Sequence, residues 1–351
     1  MPQLPTVTVI LPVRNEAGRI AGCLESIVNQ DLAADRVEIL AVDGMSGDGT
    51  REILRGMHAA HANIHLIDNP RKSVTAALNI GIKAAHGDFI IRCDAHAAYA
   101  PDYLSSCLAV AKATGAGNVG GHARSLPGSS TLMARAIMLA HASFFGLGGA
   151  RFRSGEYEGY VDTVWPGCYR KELFAEVGGY NELLPRSEDI ELNARLRKAG
   201  HTCYLSKRIR AWYYCRPDLA SLFRQRFLDG IGIIRTLPVN AGAVGMRHLI
   251  PLIFVASLLV SGTLAALPVF HALLFAETGA YAAALIFFSV AMYCEERKPD
   301  DPIAGDEQQR QRSPAAALLL PPVFITLHVA YGLGSLWGIA TLPFFMRRLA
   351  P

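Results

Sequence analysis

Three acidic clusters in this chain have the residue types and spacing to handle a phosphorylated ligand. The first is Asp94-Ala95-His96. A hard divalent cation needs oxygen or imidazole ligands on a rigid support, and residues two apart in an extended segment share one face. Asp94 and His96 therefore read as a metal site, in which the imidazole favours Mn2+ over Mg2+. An ion held there would bridge the phosphates of a nucleotide diphosphate and neutralise it as a leaving group. The bland alternative is a strand-end aspartate capping a turn, with His96 packed beside it. The second cluster is Asp43-Gly44-Met45-Ser46-Gly47-Asp48-Gly49-Thr50. A carboxylate at Asp43 can accept a hydrogen bond from a base N–H or a ribose hydroxyl, so it is assigned to nucleotide binding. Asp48, between two glycines, reads as ordinary turn chemistry. The third is Glu188-Asp189. Ser187 can cap a helix starting there, Leu192, Leu196 and Ala199 would face inward, and Gly200 would end it. A general base at a helix N-terminus, lining an acceptor pocket, would use the same two acids. Spacing alone does not choose between these readings.

The elements that must position these groups alternate in period. β-Branched apolar runs at Thr6–Leu11, Val37–Val42, Ile64–Ile67 and Asp88–Cys93 read as strands. Amphipathic stretches at Gly18–Gln30, Thr50–Ala60 and Thr75–Ala85 read as helices. Strand and helix repeated in this way predict an α/β fold with a mostly parallel sheet covered by helices on both faces. Ligands in such sheets bind at the carboxyl ends of the strands, which is where Pro12-Val13-Arg14-Asn15-Glu16, Asp43 and Asp94 fall.

The composition changes along the chain. Residues 1–235 read as a soluble domain and residues 236–351 as a membrane region. Spans are expected at about 249–269 and 272–293, the second with Glu277 near one end. A polar loop at 294–314 carries Arg297, Lys298, Arg310 and Arg312, and the positive-inside rule puts it in the cytosol beside the soluble domain. The segment 315–345 reads either as one more crossing or as a re-entrant hairpin that keeps Arg347 and Arg348 inside. Leu132–Leu147 is apolar on nearly every face and reads as a buried helix or as a surface helix dipping into lipid.

Other classes fit poorly. A net charge of +4 over 351 residues is too small to argue for nucleic acid, and the basic clusters suit an anionic membrane face better. The seven cysteines show no CxxC pair, which points to reduced thiols in a cytosolic domain. The run Val7–Leu11 is too short for a signal peptide. There is no GxxxxGK[ST] loop and no GxGxxG after the first strand. Gly44-Met45-Ser46-Gly47-Asp48 falls one residue short of a nucleophile elbow.

Taken in order, these motifs resemble the family-two glycosyltransferases, and among them the succinoglycan-type membrane β-glycosyltransferases. The matching segments are Val9–Glu16, Val42–Thr50, Arg92–Ala97, Pro166–Lys171 and Ser187–Leu192, within roughly Thr6 to Thr236. The resemblance implies a GT-A fold and an inverting single displacement. It implies that Pro12, Arg14, Glu16, Asp43 and Asp94 bind the donor nucleotide, and that Asp94 and His96 hold Mn2+ or Mg2+. Asp189 would deprotonate the acceptor hydroxyl, with Glu188, Trp165, Gly167, Gln225 and Arg226 as candidate acceptor or diphosphate contacts. It implies a UDP-sugar donor, UDP-glucose above others, and a polyprenyl-diphosphate-linked saccharide acceptor. The bacterial inner membrane, with the catalytic domain facing the cytosol, is the expected location. The sequence departs from the family where a Gln-x-x-Arg-aromatic element is expected: Gln225 is followed by Leu228-Asp229. The competing class is a membrane scaffold or lipid-binding subunit with a degenerate transferase domain, against which retained Asp43, Asp94 and Asp189 speak.

Overall fold

The computed structural model describes residues 6–147, 157–294 and 314–349. Strand and helix alternate from the start: β1 (Val7–Val13), α1 (Ile20–Val28), β2 (Val37–Asp43), α2 (Thr50–Ala60), β3 (Ile64–Asp68), α3 (Val74–Ala84) and β4 (Phe89–Arg92). Each coincides with a stretch expected from the sequence. β1 pairs in parallel with β2 and β4, and β2 in parallel with β3. β2 is buried at every position, as a strand with neighbours on both sides requires. α3 begins at Ser73, whose hydroxyl accepts the Ala76 N–H. It lays Ala77 and Leu78 against Ile10, Leu40, Val42 and Ile90. The strand order places β1 between β2 and β4, so Asp43, which ends β2, and Asp94, just after β4, lie on either side of the Pro12–Val13 end.

The rest of the sheet differs from the doubly wound pattern. It adds β5 (Ala97–Tyr99), β6 (Asn118–Leu126), β7 (Gly159–Val161), β8 (Cys168–Arg170) and β9 (Cys203–Tyr214) in the order β3-β2-β1-β4-β8-β6-β9-β5, with β7 on β9. β8 runs antiparallel to β4 and β6, and β5 and β7 antiparallel to β9. The sheet is therefore mixed. β5, β7 and β8 are only three residues long, too short for alternation to register in sequence. Backbones approach closely in this half: a Cβ on Gly121 in β6 would stand 1.8 Å from the Ile209 carbonyl oxygen of β9. Gly121→Ala is expected to cost about 1–3 kcal/mol or more, read as a lower midpoint in thermal unfolding; an unchanged midpoint would contradict this packing.

The chain divides into two compact units. One comprises residues 1–124, 151–214 and 235–244, and the other 125–150, 215–234 and 245–351. The units are interleaved in sequence, whereas composition suggests one change of character near residue 235. In the second unit the apolar stretch at 132–147 forms helices Leu132–Ala142 and Phe144–Leu147, which pack on helix Leu320–Ala340. Phe145 sits among Tyr281, Phe288, Phe324 and His328, and its carbonyl hydrogen-bonds His328 Nε2 at 2.7 Å. That packing accounts for the face carrying Ala134, Ile137 and Ala140, while Leu132 and Phe144 stay exposed.

Two helices of the second unit, Pro268–Cys294 and Leu320–Ala340, are long and apolar enough to cross a membrane. The stretch expected as a first span is a shorter helix, Ile250–Thr263, of 14 residues. At 1.5 Å per residue that is about 21 Å, against about 30 Å of hydrocarbon. The helix ends at Thr263 and the next begins at Pro268, so apolar composition over 249–269 overstates the helix. Glu277 lies inside the longer helix and accepts hydrogen bonds from Ser257 and, at 2.9 Å, from Ser261, which satisfies a carboxyl group in apolar surroundings. The basic loop expected at 294–314 lies almost entirely outside the described residues.

Candidate active site

The site is built on the end of β4. That strand reads Phe89-Ile90-Ile91-Arg92, so a cation ends an otherwise apolar buried run. A buried guanidinium must be paired, and Arg92 is paired three times over. Its Nε donates to Asp94 Oδ1 at 3.0 Å, and its Nη1 donates to Glu188 Oε1 at 3.0 Å and to Asp189 Oδ1. Trp165 Nε1 donates to the other Asp94 oxygen at 2.9 Å. The Gly167 carbonyl accepts the Arg92 backbone N–H at 3.0 Å, which ties this strand end to the segment carrying Trp165. Asp94, Glu188, Asp189, Trp165 and Gly167 are thus brought together.

His96 reaches this region by a turn, not by strand alternation. β4 stops at Arg92, and the Ala97 N–H donates to the Asp94 carbonyl at 3.1 Å. Tyr99 holds the turn: its hydroxyl accepts the Asp94 N–H at 2.7 Å. The His96 ring packs edge-on to Tyr213, its Nδ1 lies 3.3 Å from Glu16 Oε1, and Trp165 also packs edge-on to the same tyrosine. Asp94, His96 and Glu16 offer only oxygen and imidazole donors, the right chemistry for a hard divalent ion. Asp94 Oδ1 accepts from Arg92 and Oδ2 from Trp165, and a carboxylate oxygen has a second lone pair to offer. Among the described residues no three His, Cys, Asp or Glu side chains converge to hold an ion on their own. Asp94 and His96 have the donor types that a hard divalent ion takes.

Electrostatics separate the two aspartates. Burial alone would raise the Asp94 carboxyl, but the charges of Arg92 and His96 and the bonds from Arg92 and Trp165 outweigh it and hold Asp94 below its ordinary value. Burial pushes Asp189 up; Arg92 pulls it down, Glu188 and Asp94 repel it, and the net result is a rise to about 7. A carboxylate that stays charged and one poised to exchange a proton near neutrality is the division expected of a charge-stabilising group and a base. The helix carrying the second, Glu188–Lys198, starts where expected, but Ser187 does not cap it: Ser187 has φ 63° and no side-chain capping bond. This left-handed turn costs about 1–3 kcal/mol for a non-glycine residue and delivers both acids to Arg92. Leu192 and Leu196 are buried as expected, while Ala199 is exposed because the helix has already reached its C-cap there.

Asp43 is held differently. Its side chain is fully buried; it accepts from Ser46 Oγ at 2.5 Å and pairs with Arg51 Nη1 at 2.6 Å, while Arg51 Nη2 reaches Asp68 at 2.7 Å. A base hydrogen bond to Asp43 therefore requires Arg51 to swing aside. Asp48 is structural, accepting from Thr50 N–H, Thr50 Oγ1 and Ala17 N–H. Pro12 lies in β1 opposite Val42. Arg14 is exposed, covers Gly44 with its methylenes and reaches the Lys72 carbonyl at 3.5 Å. The Glu16 N–H donates to Thr50 Oγ1 at 2.8 Å, fixing the loop after β1 onto the start of α2. Gln225 and Arg226 belong to the second unit. There Arg226 pairs with Asp229 at 3.1 Å and lies 4.8 Å from the Tyr331 ring centroid, so Asp229, which departs from the family pattern, has a local partner.

Sequence reading did not single out Arg92 or Arg51. The signal for Arg92 was present: an arginine ending a run otherwise apolar enough for a central strand. Arg51 sits in an ordinary amphipathic helix and carries no such signal.

A sheet whose strands end in this set of acids, joined to an antiparallel half, is the GT-A arrangement of a glycosyltransferase. Residues 8–178 match the family described as Glycosyl transferase family 2. The chain is 32% identical over 304 residues to the succinoglycan biosynthesis protein ExoA of Rhizobium meliloti, covering 85% of this chain and 88% of that one. The protein belongs to glycosyl transferase family 2. It is also 27% identical to a dolichyl N-acetyl-alpha-D-glucosaminyl phosphate 3-beta-D-2,3-diacetamido-2,3-dideoxy-beta-D-glucuronosyltransferase of Methanococcus voltae, over 74% of this chain and 82% of that one. A mannosyltransferase from Pyrobaculum calidifontis, solved in complex with GDP-Man and Mn2+, shares the fold: TM-score 0.57 at 18% identity, covering 95% of this chain and 88% of the other.

Proposed function

We propose that the protein is an inverting, metal-dependent hexosyltransferase that moves a sugar from a UDP-sugar, UDP-glucose above others, to a polyprenyl-diphosphate-linked saccharide in bacterial exopolysaccharide or surface-glycan synthesis. The observation that carries this reading is the convergence of Asp94, from the end of β4, with Glu188 and Asp189, from the start of a helix, on the one guanidinium of Arg92. Asp189 takes the proton of the acceptor hydroxyl as it attacks the anomeric carbon, the bond from that carbon to the donor phosphate oxygen breaks, and the nucleotide diphosphate leaves. Asp94 and His96 would hold Mn2+ or Mg2+, which supplies charge neutralisation of the departing diphosphate. Pro12, Arg14 and Glu16 line the donor side. Asp43 binds the nucleobase there, with Arg51 swung aside from its carboxylate. Residues 236–351 would anchor the enzyme in the inner membrane with residues 1–235 facing the cytosol. Support comes from helices long enough to cross a membrane and from kinship with a succinoglycan biosynthesis protein.

The test uses full-length protein in membranes, a panel of labelled UDP- and GDP-sugars, and an acceptor pool extracted from bacterial membranes. Label from one UDP-sugar is expected in the organic lipid extract. A chelator in excess is expected to abolish transfer, and Mn2+ to restore it better than Mg2+ because imidazole is a ligand. Transfer undiminished by the chelator, or label confined to water-soluble saccharide, would remove the metal or the lipid acceptor from this reading.

A further inference from the structure

We infer that Arg92 is the positioning residue that fixes the donor-side carboxylate Asp94 and the acceptor-side acids Glu188 and Asp189 relative to one another. This rests on the roles given above to Asp94 and Asp189. The geometry is specific. One side chain, 8% exposed, serves acids that are two, 96 and 97 residues away in the chain. Nε and Nη1 of a planar guanidinium point in fixed directions, so the fork sets both the distance and the angle between the acids it holds. Lysine would offer a charge without that fork.

Arg92 is paired with both sides at once. Asp94 sits on the turn after β4, held by Trp165 and Tyr99. Glu188 and Asp189 open a helix whose first turn has no side-chain cap. The Arg92 guanidinium is therefore what registers the start of that helix against the strand end. A displacement of about 1 Å between reacting groups can cost about 10²-fold in rate. The same cation also sets the charge around Asp189. Among the described residues, the groups that act on Asp189 most strongly are Arg92 and Asp94 from the β4 end and Glu188 on its own helix, and the phenols of Tyr169 and Tyr180 also face it. Only Arg92 among them is positive. An opposite charge this close typically lowers a carboxyl group by about 1–3 pH units.

The experiment compares full-length wild type, Arg92→Lys, Arg92→Gln, Asp189→Asn and the double variant Arg92→Lys/Asp189→Asn. Steady-state kinetics are measured against pH, with thermal midpoints and nucleotide binding as controls. Arg92→Lys is expected to fold, to bind donor nucleotide as wild type does, and to lose about 10²-fold in kcat with little change in KM for the donor. In Arg92→Gln the acidic limb of kcat/KM is expected to move up by about 1–3 pH units. The double variant should lose less than the product of the two single losses, because part of the Arg92 effect passes through Asp189. Should Arg92→Gln not fold, the Lys variant and the double variant carry the test. If Asp189→Asn is dead while Arg92→Lys has wild-type kcat, or if the two losses multiply, the positioning role is overturned and the base stands. If Asp189→Asn itself is active, it is the reading of the base that fails.

Discussion

Asp189→Asn is expected to leave a folded, nucleotide-binding protein that transfers sugar about 10²–10⁴-fold more slowly, the usual cost of losing a general base. Asparagine is nearly isosteric, and its amide oxygen can still accept from Arg92 Nη1, the donor to Asp189 Oδ1. The change also removes one of three acids around a single guanidinium, so the repulsion with Glu188 and Asp94 that raises Asp189 disappears. The structural cost should therefore be small, about 1 kcal/mol or less. What asparagine cannot do is take a proton. The pH dependence follows from the same group. With its value raised to about 7, Asp189 is protonated and unable to act as a base below that pH. Wild-type kcat/KM should fall as pH drops through about 7, and the residual activity of Asp189→Asn should lack that limb. Near wild-type transfer by the variant would return Asp189 to a helix-stabilising role. A limb that persists in the variant would assign the titration to another group.

The sequence was informative wherever a physical constraint repeats along the chain. Parallel strands buried on both faces must be continuous apolar runs, and helices packed on them must be amphipathic, so β1 to β4 and α1 to α3 could be placed. It was less informative where a contact is made by one residue at long range. Phe89-Ile90-Ile91-Arg92 shows that a cation is buried but not that its partners lie at Glu188 and Asp189. Alternation suggested that Asp94 and His96 share a strand face, but the chain turns at Asp94, and the Tyr99 hydroxyl that holds the turn is set by β5, a strand of three residues. Ser187 has the right identity for a cap and the wrong backbone angle. The apolar run at 249–269 gives no hint of where its helix stops, because a helix end is fixed by local geometry and not by average composition.

Asp94→Asn is expected to be as damaging as the loss of the base, for a different reason and with a different signature. Both Asp94 oxygens accept hydrogen bonds, one from Arg92 Nε and one from Trp165 Nε1. An amide offers one acceptor and one donor, so its NH2 must face either a guanidinium or an indole N–H. A buried donor left without an acceptor costs about 1–3 kcal/mol, and the thermal midpoint should drop by a corresponding amount, unlike that of Asp189→Asn. The variant also loses the negative charge that Arg92, His96 and Trp165 keep in place at all pH values near neutrality. If that charge is what retains a divalent ion beside the donor diphosphate, transfer should fall by at least about 10²–10³-fold, the usual cost of one missing electrostatic contact to a developing anion. Titration with Mn2+, followed by the ion's own paramagnetic signal in the presence of UDP, should show weakened binding in Asp94→Asn and wild-type binding in Asp189→Asn. Equal Mn2+ binding in the two variants would move the ion away from Asp94. The rate loss would then be a consequence of disturbing Arg92, and Asp94 would stand as a partner that orients the guanidinium.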